Sequence, residues 1–325
     1  MARSTPVKLK LISGRAHPEL AKQIARRLNT RLGKVELGNF ANGEIDCRID
    51  ESVRGCDLFI IQPHSPNVND SVVEQALMID AAKRASARSI TAVCPFMGYA
   101  RQDRKSRGRE PIAARLMVDF LARAGADRIM SIDLHSGQIQ GFFDGPFDHL
   151  IAMPILLKQI RKLKLRKLVI VSPDAGRVKL AERYASELGC EIAIIHKHRS
   201  LGKRNHATAR FLIGDVKGRD CVVVDDMIDT ASTLGPAADL LVKNGAKSIY
   251  GVATHGLFSD PALERIKGSA FKKIIVSNSL PMSPEVSLKS SKVEVVSIAP
   301  LIASAISAIF EQKSVSAIFK GQNQI

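Results

Sequence analysis

Three carboxylates and three hydroxyls lie close together after one apolar run of the sequence. The run DCVVVDD at 220–226 ends in Asp225 and Asp226, and Asp229 follows three residues later. The same loop then supplies three hydroxyls before the helical pattern LGPAADLLVKNGA, from Thr230, Ser232 and Thr233. Hydroxyls and N–H groups at a helix start bind anions, and paired acids accept hydrogen bonds from vicinal hydroxyls. The pattern predicts a ribose phosphate site; the alternative, that the acids only cap the helix, explains Asp229 alone.

A second group of polar residues follows two other apolar runs. Asp133 and His135 are two positions apart in SIDLHS, so their side chains point to the same side of an extended chain. Asp174 follows another run in SPDAGR, next to a glycine that permits close backbone approach. An Asp/His/Asp set in a basic protein suggests Mg²⁺ bound to phosphates. Residue types alone leave this open, because a single histidine is more often a structural residue than a ligand.

Two segments are rich in cations. The first is GYARQDRKSRGREPIAARL at 98–116, in which we expect Pro111 to open a helix. Gln102 could form hydrogen bonds with the edge of a base. A polyphosphate could be bound by four cations, Arg101, Arg104, Lys105 and Arg107. A solvated basic turn is the alternative. The segment HKHRSLGKRNHAT at 196–208 predicts a mobile loop whose Lys and Arg could stabilise a transferring phosphoryl group. The common nucleotide motifs GxxxxGK[ST] and GxGxxG are absent.

Regularly spaced apolar runs must position these residues. Nine short β-branched runs, each followed by a turn and a helical pattern, predict α/β domains with parallel sheets; they are DLFIIQP, SITAVCPF, RIMSIDLH, KLVIVSPD, EIAIIH, DCVVVDD, SIYGVATH, KIIVSNS and VEVVSIA. Ligands of such sheets bind at the carboxyl ends of the strands. We expect the strand before Asp225 to end at Val224. The connector FFDGPFDHLIAMP predicts a domain boundary near residue 150.

Composition limits the classes of function. The chain has 325 residues, 45% of them hydrophobic, enough for about two domains, and no apolar run approaches the length of a membrane span or a signal peptide core. We therefore expect a cytoplasmic protein. Because the cytoplasm keeps cysteines reduced, we also expect free thiols. The net charge of +16 attracts anions, but 5% aromatic residues and no Trp favour small phosphates over nucleic acid. For the basic stretch KQIRKLKLRK at 158–167, a solvated helix face is favoured over nucleic-acid or membrane contact.

The chain resembles the ribose-phosphate diphosphokinase family, also called phosphoribosyl pyrophosphate (PRPP) synthetase, over nearly its whole length. The motifs that carry the resemblance are FANGE, ESVRG, PNVND, MIDAAKRASA, GYARQDRK, REPIAARL, AGADRIMSIDLHSGQIQGFFD, VSPDAG, IGDV, VVVDDMIDTAST, THGLFSDPALERI and SVSAIF. The resemblance implies two phosphoribosyltransferase-type (Rossmann-like) domains with parallel sheets flanked by helices. Their expected limits are 1–150, joined by the C-terminal segment 306–325, and 151–305, which carries the ribose-phosphate loop.

The resemblance also implies the reaction. Family members transfer the diphosphoryl group of Mg-ATP to the 1-hydroxyl of ribose 5-phosphate and release AMP. They are commonly homo-hexamers, activated by phosphate and inhibited by ADP at a subunit interface. Neither nucleic acid nor membrane is implied as a partner.

Individual roles follow from the resemblance, residue by residue. ATP would be bound by Phe40, Asn42, Glu44, Arg101 and Gln102, with the first three from a neighbouring subunit. Ribose 5-phosphate would be bound by Asp225, Asp226, Asp229, Thr230, Ala231, Ser232 and Thr233. Magnesium would be held by His135 and Asp174, and the catalytic pair on the flap would be Lys197 and Arg199. The regulatory positions would be Ser52, Arg54, Arg107 and Ser314.

Two residues depart from the family pattern. Arg177 stands where the diphosphate loop PDxGG has its second glycine, and Ser232 stands where the loop DTxGT has glycine. A side chain at position 177 is costly if the backbone there has positive φ. The departures keep open a non-catalytic, regulatory homologue, although Lys197, Arg199, His135 and Asp174 are retained. A PRPP-consuming phosphoribosyltransferase would lack the RQDRK and FANGE segments, and nucleic-acid binding is the remaining alternative.

Overall fold

The protein divides into two compact units. The structure, a computed structural model, describes residues 7–197, 210–283, 286 and 291–319. The first unit extends to Ile151 and also includes Ser279–Pro281 and, among the described residues, 297–319. The second unit comprises Ala152–Asn278 and Met282–Val296. The chain therefore returns to the first unit at its C-terminal end.

A five-stranded, all-parallel sheet forms the centre of the first unit. Its spatial order is β1 (Leu9–Ser13), β4 (Asp57–Ile61), β5 (Ser89–Cys94), β6 (Arg128–Ile132) and β7 (Phe147–Leu150). The accompanying helices are α1 (Pro18–Arg27), α2 (Val68–Arg84), α3 (Ala113–Ala124) and α8 (Ala299–Phe310). A separate antiparallel hairpin consists of β2 (Val35–Asn39) and β3 (Ile45–Ile49).

A seven-stranded sheet forms the centre of the second unit. Its spatial order is β10 (Arg210–Ile213), β9 (Glu191–Lys197), β8 (Leu168–Ser172), β11 (Asp220–Ile228), β12 (Ser248–Gly256), β13 (Phe271–Ser277) and β14 (Val293–Val296). All neighbouring strands are parallel except the edge pair of β9 and β10. The accompanying helices are α4 (Met153–Lys162), α5 (Val178–Leu188), α6 (Leu234–Lys243) and α7 (Ala262–Gly268).

Hydrophobic periodicity explains these elements. All five residues of β4 are buried, as expected for a strand covered on both faces. In α1, by contrast, the buried residues Leu20, Ala21, Ile24 and Ala25 recur at helical spacing. Buried apolar residues of each sheet and its helices form a hydrophobic cluster. Continuous apolar strands and amphipathic helices thus produce the layers of an α/β fold.

The predicted fold class is confirmed, and all nine apolar runs form strands. Five further strands, β1, β2, β3, β7 and β10, are too short or too polar to stand out in the sequence. The α3 helix begins at Ala113, two residues after the predicted start at Pro111. The cysteines are free thiols. Within the described residues, no helix is both long and apolar enough to cross a membrane.

Candidate active site

Asp225 and Asp226 lie inside strand β11, which continues four residues beyond the predicted end at Val224. The reason is unequal pairing on the two sides of the strand. Pairing with β8 stops at Val223, whereas pairing with β12 continues to Ile228. The last part of β11 therefore has one open edge beside the loop that follows β8. This extension holds both carboxylates on a hydrogen-bonded backbone at the carboxyl end of the sheet.

Arg177 connects this strand to the loop after β8. Its Nε lies 3.2 Å from Asp225 Oδ1, and a terminal nitrogen donates to Asp226 Oδ2 at 2.8 Å. The Arg177 side chain is only 20% exposed. Its guanidinium thus contacts carboxylate oxygens of both acids. These are the two acids that the sequence predicts to bind the ribose hydroxyls.

The backbone at Arg177 is unstrained. Its φ is −106°, so no left-handed conformation makes a side chain costly at this position. Gly176 before it has no positive φ either. The expected penalty for replacing a glycine here is therefore absent, and the side chain extends toward β11 instead.

The paired acids are electrostatically coupled. Burial raises the pKa of Asp225 well above its ordinary value, and the negative charge of Asp226 raises it further. The Arg177 guanidinium acts in the opposite direction. Backbone N–H groups also stabilise the carboxylates, because Asp226 N donates to Asp225 and Met227 N donates to Asp226, each at 2.9 Å. The arrangement is a pre-formed acceptor site for cationic or hydroxyl donors.

The loop between β11 and α6 presents the predicted hydroxyls near a helix start. Helix α6 begins at Leu234, directly after Thr233, and no side chain at its N-cap position makes a capping hydrogen bond. Thr233 therefore does not cap the helix through its side chain. Ser232 is exposed. The loop is fixed from outside by Arg265, whose guanidinium donates to the Thr230 carbonyl at 2.8 Å.

Ala231 is the strained position of this loop. Its φ of 54° lies in the left-handed region, although it is not a glycine, and it is 6% exposed. Such a conformation costs an L-residue roughly 1–2 kcal/mol. Backbone strain of this kind often accompanies a binding loop whose shape the surroundings determine.

Asp174 orders the loop that carries Arg177. Its Oδ1 accepts the Gly176 N–H at 3.0 Å, and its carbonyl accepts the Ser172 hydroxyl at 2.7 Å. These bonds begin a short 3-10 turn, Ala175–Arg177, which leads into α5. The turn thus places a carboxylate and a guanidinium on one short segment.

Asp133 and His135 follow β6 in the first unit. Asp133 is buried and has a φ of 38°, while His135 is half-buried. The N–H of Leu134, between them, donates to Nε2 of the buried His149 at 2.9 Å. His149 therefore fixes the turn on which both predicted residues lie.

Of the two predicted magnesium ligands, the Asp174 carboxylate has the oxygen donors that Mg²⁺ prefers, whereas the His135 imidazole does not. No group of three or more His, Cys, Asp or Glu that could hold a metal occurs within the part of the chain that the structure describes. Magnesium does not require one, because it commonly uses one or two carboxylates together with water and substrate phosphates. The Asp174 carboxylate suits this mode of binding.

A buried histidine also fixes the basic loop at 98–116. The N–H of Gly98 donates to His64 Nδ1 at 3.1 Å, and His64 Nε2 lies 2.8 Å from Gln75 Oε1. Burial lowers the pKa of His64 to about 4, so the ring is neutral and Nε2 is its donor. Arg101 and Gln102 follow on the exposed side of the loop. The cations are thus presented to solvent from a rigid base.

The tip of the β2–β3 hairpin carries Phe40, Asn42 and Glu44. Phe40 is 56% exposed, which is unusual for a large aromatic side chain. Two bonds shape the tip: Phe40 N donates to the Glu44 carbonyl at 2.8 Å, and Glu44 N to Asn42 Oδ1 at 3.2 Å. Arg15, which is paired with Glu74, supports the hairpin through Asn39 Oδ1 at 2.5 Å.

The remaining predicted residues are only partly described. Lys197 is the last residue of β9, and its backbone pairs with Arg210, which places it at the base of an antiparallel pair. Arg199 lies outside the described residues. All four predicted regulatory positions are exposed and belong to the first unit: Ser52, Arg54, Arg107 and Ser314.

Sequence reasoning missed the residues that support these loops. His64, Gln75 and His149 act through hydrogen bonds to backbone N–H groups or to one another. Their one sequence signal is a polar side chain within an apolar context, as in QPH at 62–64. That signal identifies burial but not the bonding partner.

Both the sequence and the fold of this chain are similar to those of known proteins. Residues 9–125 match the N-terminal domain of ribose phosphate pyrophosphokinase, and residues 203–320 match the phosphoribosyl synthetase-associated domain. Ribose-phosphate pyrophosphokinase of Streptomyces coelicolor is 51% identical over 97% of both chains, and that of Corynebacterium efficiens is 53% identical over 96% of both. The crystal structure of phosphoribosylpyrophosphate synthetase from Mycobacterium smegmatis, 49% identical, has a TM-score of 0.88 and covers 94% of this chain and 99% of that one. The similarity thus extends over both units.

Proposed function

This chain belongs to the ribose-phosphate pyrophosphokinase family, and we propose which of its residues carry out that family's reaction. The protein transfers the diphosphoryl group of ATP to ribose 5-phosphate and yields PRPP and AMP. The 1-hydroxyl oxygen attacks the β-phosphorus, and the bond from that phosphorus to the bridging oxygen breaks. AMP leaves with the electron pair, and the hydroxyl proton is released.

The paired acids of β11 carry the proposal for the sugar. Asp225 and Asp226 accept hydrogen bonds from the vicinal hydroxyls, in place of their ion pairs with Arg177. The 5-phosphate lies against the start of α6, where backbone N–H groups and the hydroxyls of Thr230, Ser232 and Thr233 are available. Asp229 and Ala231 shape this loop. The observation that supports the assignment most directly is the extension of β11, paired with β12, that carries both acids.

Residues of the first unit bind ATP in this proposal. Arg101 and Gln102 contact the nucleotide from the loop that His64 holds, and Phe40, Asn42 and Glu44 border the adenine of a neighbouring subunit. Mg²⁺ held by His135 and Asp174 would neutralise charge on the phosphate oxygens. Lys197 and Arg199 would stabilise the charge that develops on the transferred group. In-line positioning and charge neutralisation, rather than acid–base catalysis, then account for the rate.

The catalytic function is favoured over a regulatory homologue. Arg177 adopts an ordinary backbone conformation, so that departure does not distort the loop. Ser232 is exposed at the turn and brings a hydroxyl donor in place of a glycine. The relatives of about 50% identity over the whole chain are named as the pyrophosphokinase.

We further propose the assembly and its regulation. The active form is a homo-hexamer in the cytoplasm, activated by phosphate and inhibited by ADP. Its effectors bind near Ser52, Arg54, Arg107 and Ser314, which are exposed. We propose that the two functional domains follow the expected limits, 1–150 together with 306–325 and 151–305, except that helix α8 belongs whole to the first.

Sugar-dependent release of AMP tests the proposed function. Purified protein is incubated with Mg-ATP and phosphate, with and without ribose 5-phosphate, and AMP is quantified. We expect release only with the sugar and a decrease of roughly 100-fold or more in Lys197→Ala. Lys243→Ala, at an exposed position at the end of α6, is the matched control and should retain activity. A folded wild-type protein without sugar-dependent AMP would instead support the regulatory homologue.

A further inference from the structure

A basic cavity lies at the amino edge of the seven-stranded sheet, away from the residues discussed so far. It has a volume of about 820 Å³ and is bordered by the loop before β8, the end of α5 with the start of β9, and the loop before β11. Asp174 and Asp225 lie at the opposite, carboxyl end of these parallel strands. The five residues of β8 alone separate the two ends by roughly 16 Å. The cavity is therefore distinct from the ribose-phosphate loop.

The floor of the cavity is apolar. It is lined by buried Ile160 and by the half-buried side chains of Leu165, Leu168 and Leu188. Clefts of about 300–1,000 Å³ are typical of small-molecule sites, and in this one charged side chains surround the apolar floor. The floor thus suits a ligand with an uncharged organic part.

The rim of the cavity carries excess positive charge. Five basic residues, Arg161, Lys164, Lys167, Lys217 and Arg219, face two acids, Glu191 and Asp215. Arg219 alone neutralises both acids, at 2.6 Å from Glu191 and 3.2 Å from Asp215.

The other four cations are not compensated in the same way. Arg161 donates to the Glu187 carbonyl at 2.8 Å, which leaves its charge uncompensated. Among the described residues, no ion pair joins Lys164, Lys167 or Lys217 to an acid. Uncompensated cations around a concave surface attract anions with several negative charges.

Two of these lysines lie on backbone that disfavours side chains. Lys164 and Lys167 have φ values of 50° and 49°, in the left-handed region. Glycine or asparagine would be less costly at both positions, by roughly 1 kcal/mol each. Lys164 directly follows Leu163, the C-cap of α4, a position where a left-handed residue commonly ends a helix, whereas Lys167 lies in the loop before β8.

We propose that this cavity binds a small organic anion that carries two or more phosphate groups. The phosphates contact Lys164, Lys167 and Lys217, and the organic part lies on the leucine floor. The site takes no part in the transfer reaction, and its existence does not depend on the assigned active-site roles.

Hydrogen–deuterium exchange on the full-length protein tests the site locally. The probes are ADP and inorganic diphosphate, and the reporting segments are 161–168 and 215–219. We expect ADP to slow exchange in both segments more than diphosphate does at equal concentration. Lys164→Glu/Lys167→Glu should require about tenfold more ADP for the same protection. The charge-matched control Lys243→Glu/Lys267→Glu, in the same unit but outside the cavity, should behave as the wild type.

Three results would overturn the proposal: no protection by ADP, equal protection in the Lys164/Lys167 variant, or diphosphate acting as well as ADP. Protection by an RNA oligonucleotide but not by ADP would assign the surface to nucleic acid instead.

PRPP formation is assayed on the same preparations and should be unchanged in both double variants. A protein that makes no PRPP but shows local protection would contradict the proposed function alone.

Discussion

Arg177 donates a hydrogen bond to Asp226 at 2.8 Å across 49 positions of sequence. The same guanidinium lies 3.2 Å from Asp225. Both acids are therefore engaged before any sugar binds. When the hydroxyls of the sugar replace the guanidinium as donors to the two acids, the released guanidinium remains on the loop after β8, beside the start of α5. An anionic group such as the diphosphate of the product is a suitable new partner for it.

Replacement of Arg177 by alanine should change the affinities for substrate and product in opposite directions. Ribose 5-phosphate no longer competes with the guanidinium, so its Kd should fall severalfold. PRPP loses a charge-assisted contact of about 1.5 kcal/mol, so its Kd should rise about tenfold. Calorimetric titration of each compound in the absence of ATP measures both constants.

The control for this experiment is Lys179→Ala, which removes an exposed cation two residues further along the chain. It should leave both constants unchanged. Weaker binding of both compounds in the Arg177 variant would mean that the arginine only maintains the shape of the site.

Burial of His64 should make the stability of the protein depend on pH. The folded protein keeps this ring neutral down to about pH 4, whereas the unfolded chain takes up a proton near 6.5. The contribution of His64 is therefore fully present above pH 6.5 and is lost as the pH falls toward 4. Over this window the free energy of unfolding should decrease by about 3 kcal/mol from this group.

Chemical denaturation at several pH values checks this expectation. His64→Gln removes the titrating group, so its free energy of unfolding should vary less steeply than that of the wild type between pH 6.5 and 4. Carboxylates titrate in both proteins, which makes the difference between the curves the relevant quantity. Parallel curves would show that His64 titrates normally.

His149 should control the turn that carries Asp133 and His135. His149→Leu leaves the buried N–H of Leu134 without its acceptor, a loss of about 1–3 kcal/mol. We expect a lower free energy of unfolding and a higher magnesium concentration for half-maximal activity. His149→Gln keeps an acceptor of similar reach and should restore part of both properties. Unchanged magnesium dependence in the leucine variant would separate the turn from the metal site.

The sequence predicted the strands and helices of the fold better than the side-chain contacts between distant loops. Apolar runs such as VVV at 222–224 identify a covered strand through periodicity alone, but the end of β11 depends on pairing with β12. The partners of Arg177 and of Gly98 lie 49 and 34 positions away in the chain. Such contacts arise only once the sheet brings distant loops together, so local patterns cannot reveal them. Acids and hydroxyls of one loop are visible in sequence because they are neighbours there.

Ala231 offers a test of strain in the ribose-phosphate loop. Its left-handed φ of 54° costs roughly 1–2 kcal/mol, which Ala231→Gly would relieve, while the freer unfolded chain offsets about 0.5–1 kcal/mol. The substitution should therefore leave the free energy of unfolding unchanged or raise it by up to about 1.5 kcal/mol. Ala81→Gly, within α2, should instead lower it by about 1 kcal/mol.

Activity gives the second readout of the same substitution. If the native loop already has the shape that phosphate binding requires, the KM for ribose 5-phosphate in Ala231→Gly should stay within about twofold of the wild type, since glycine adopts the same φ without cost. A large rise in KM together with unchanged stability would mean that the alanine methyl group, which is buried, packs against the bound state. A loss of stability comparable to that of Ala81→Gly would show that the backbone at position 231 is not strained.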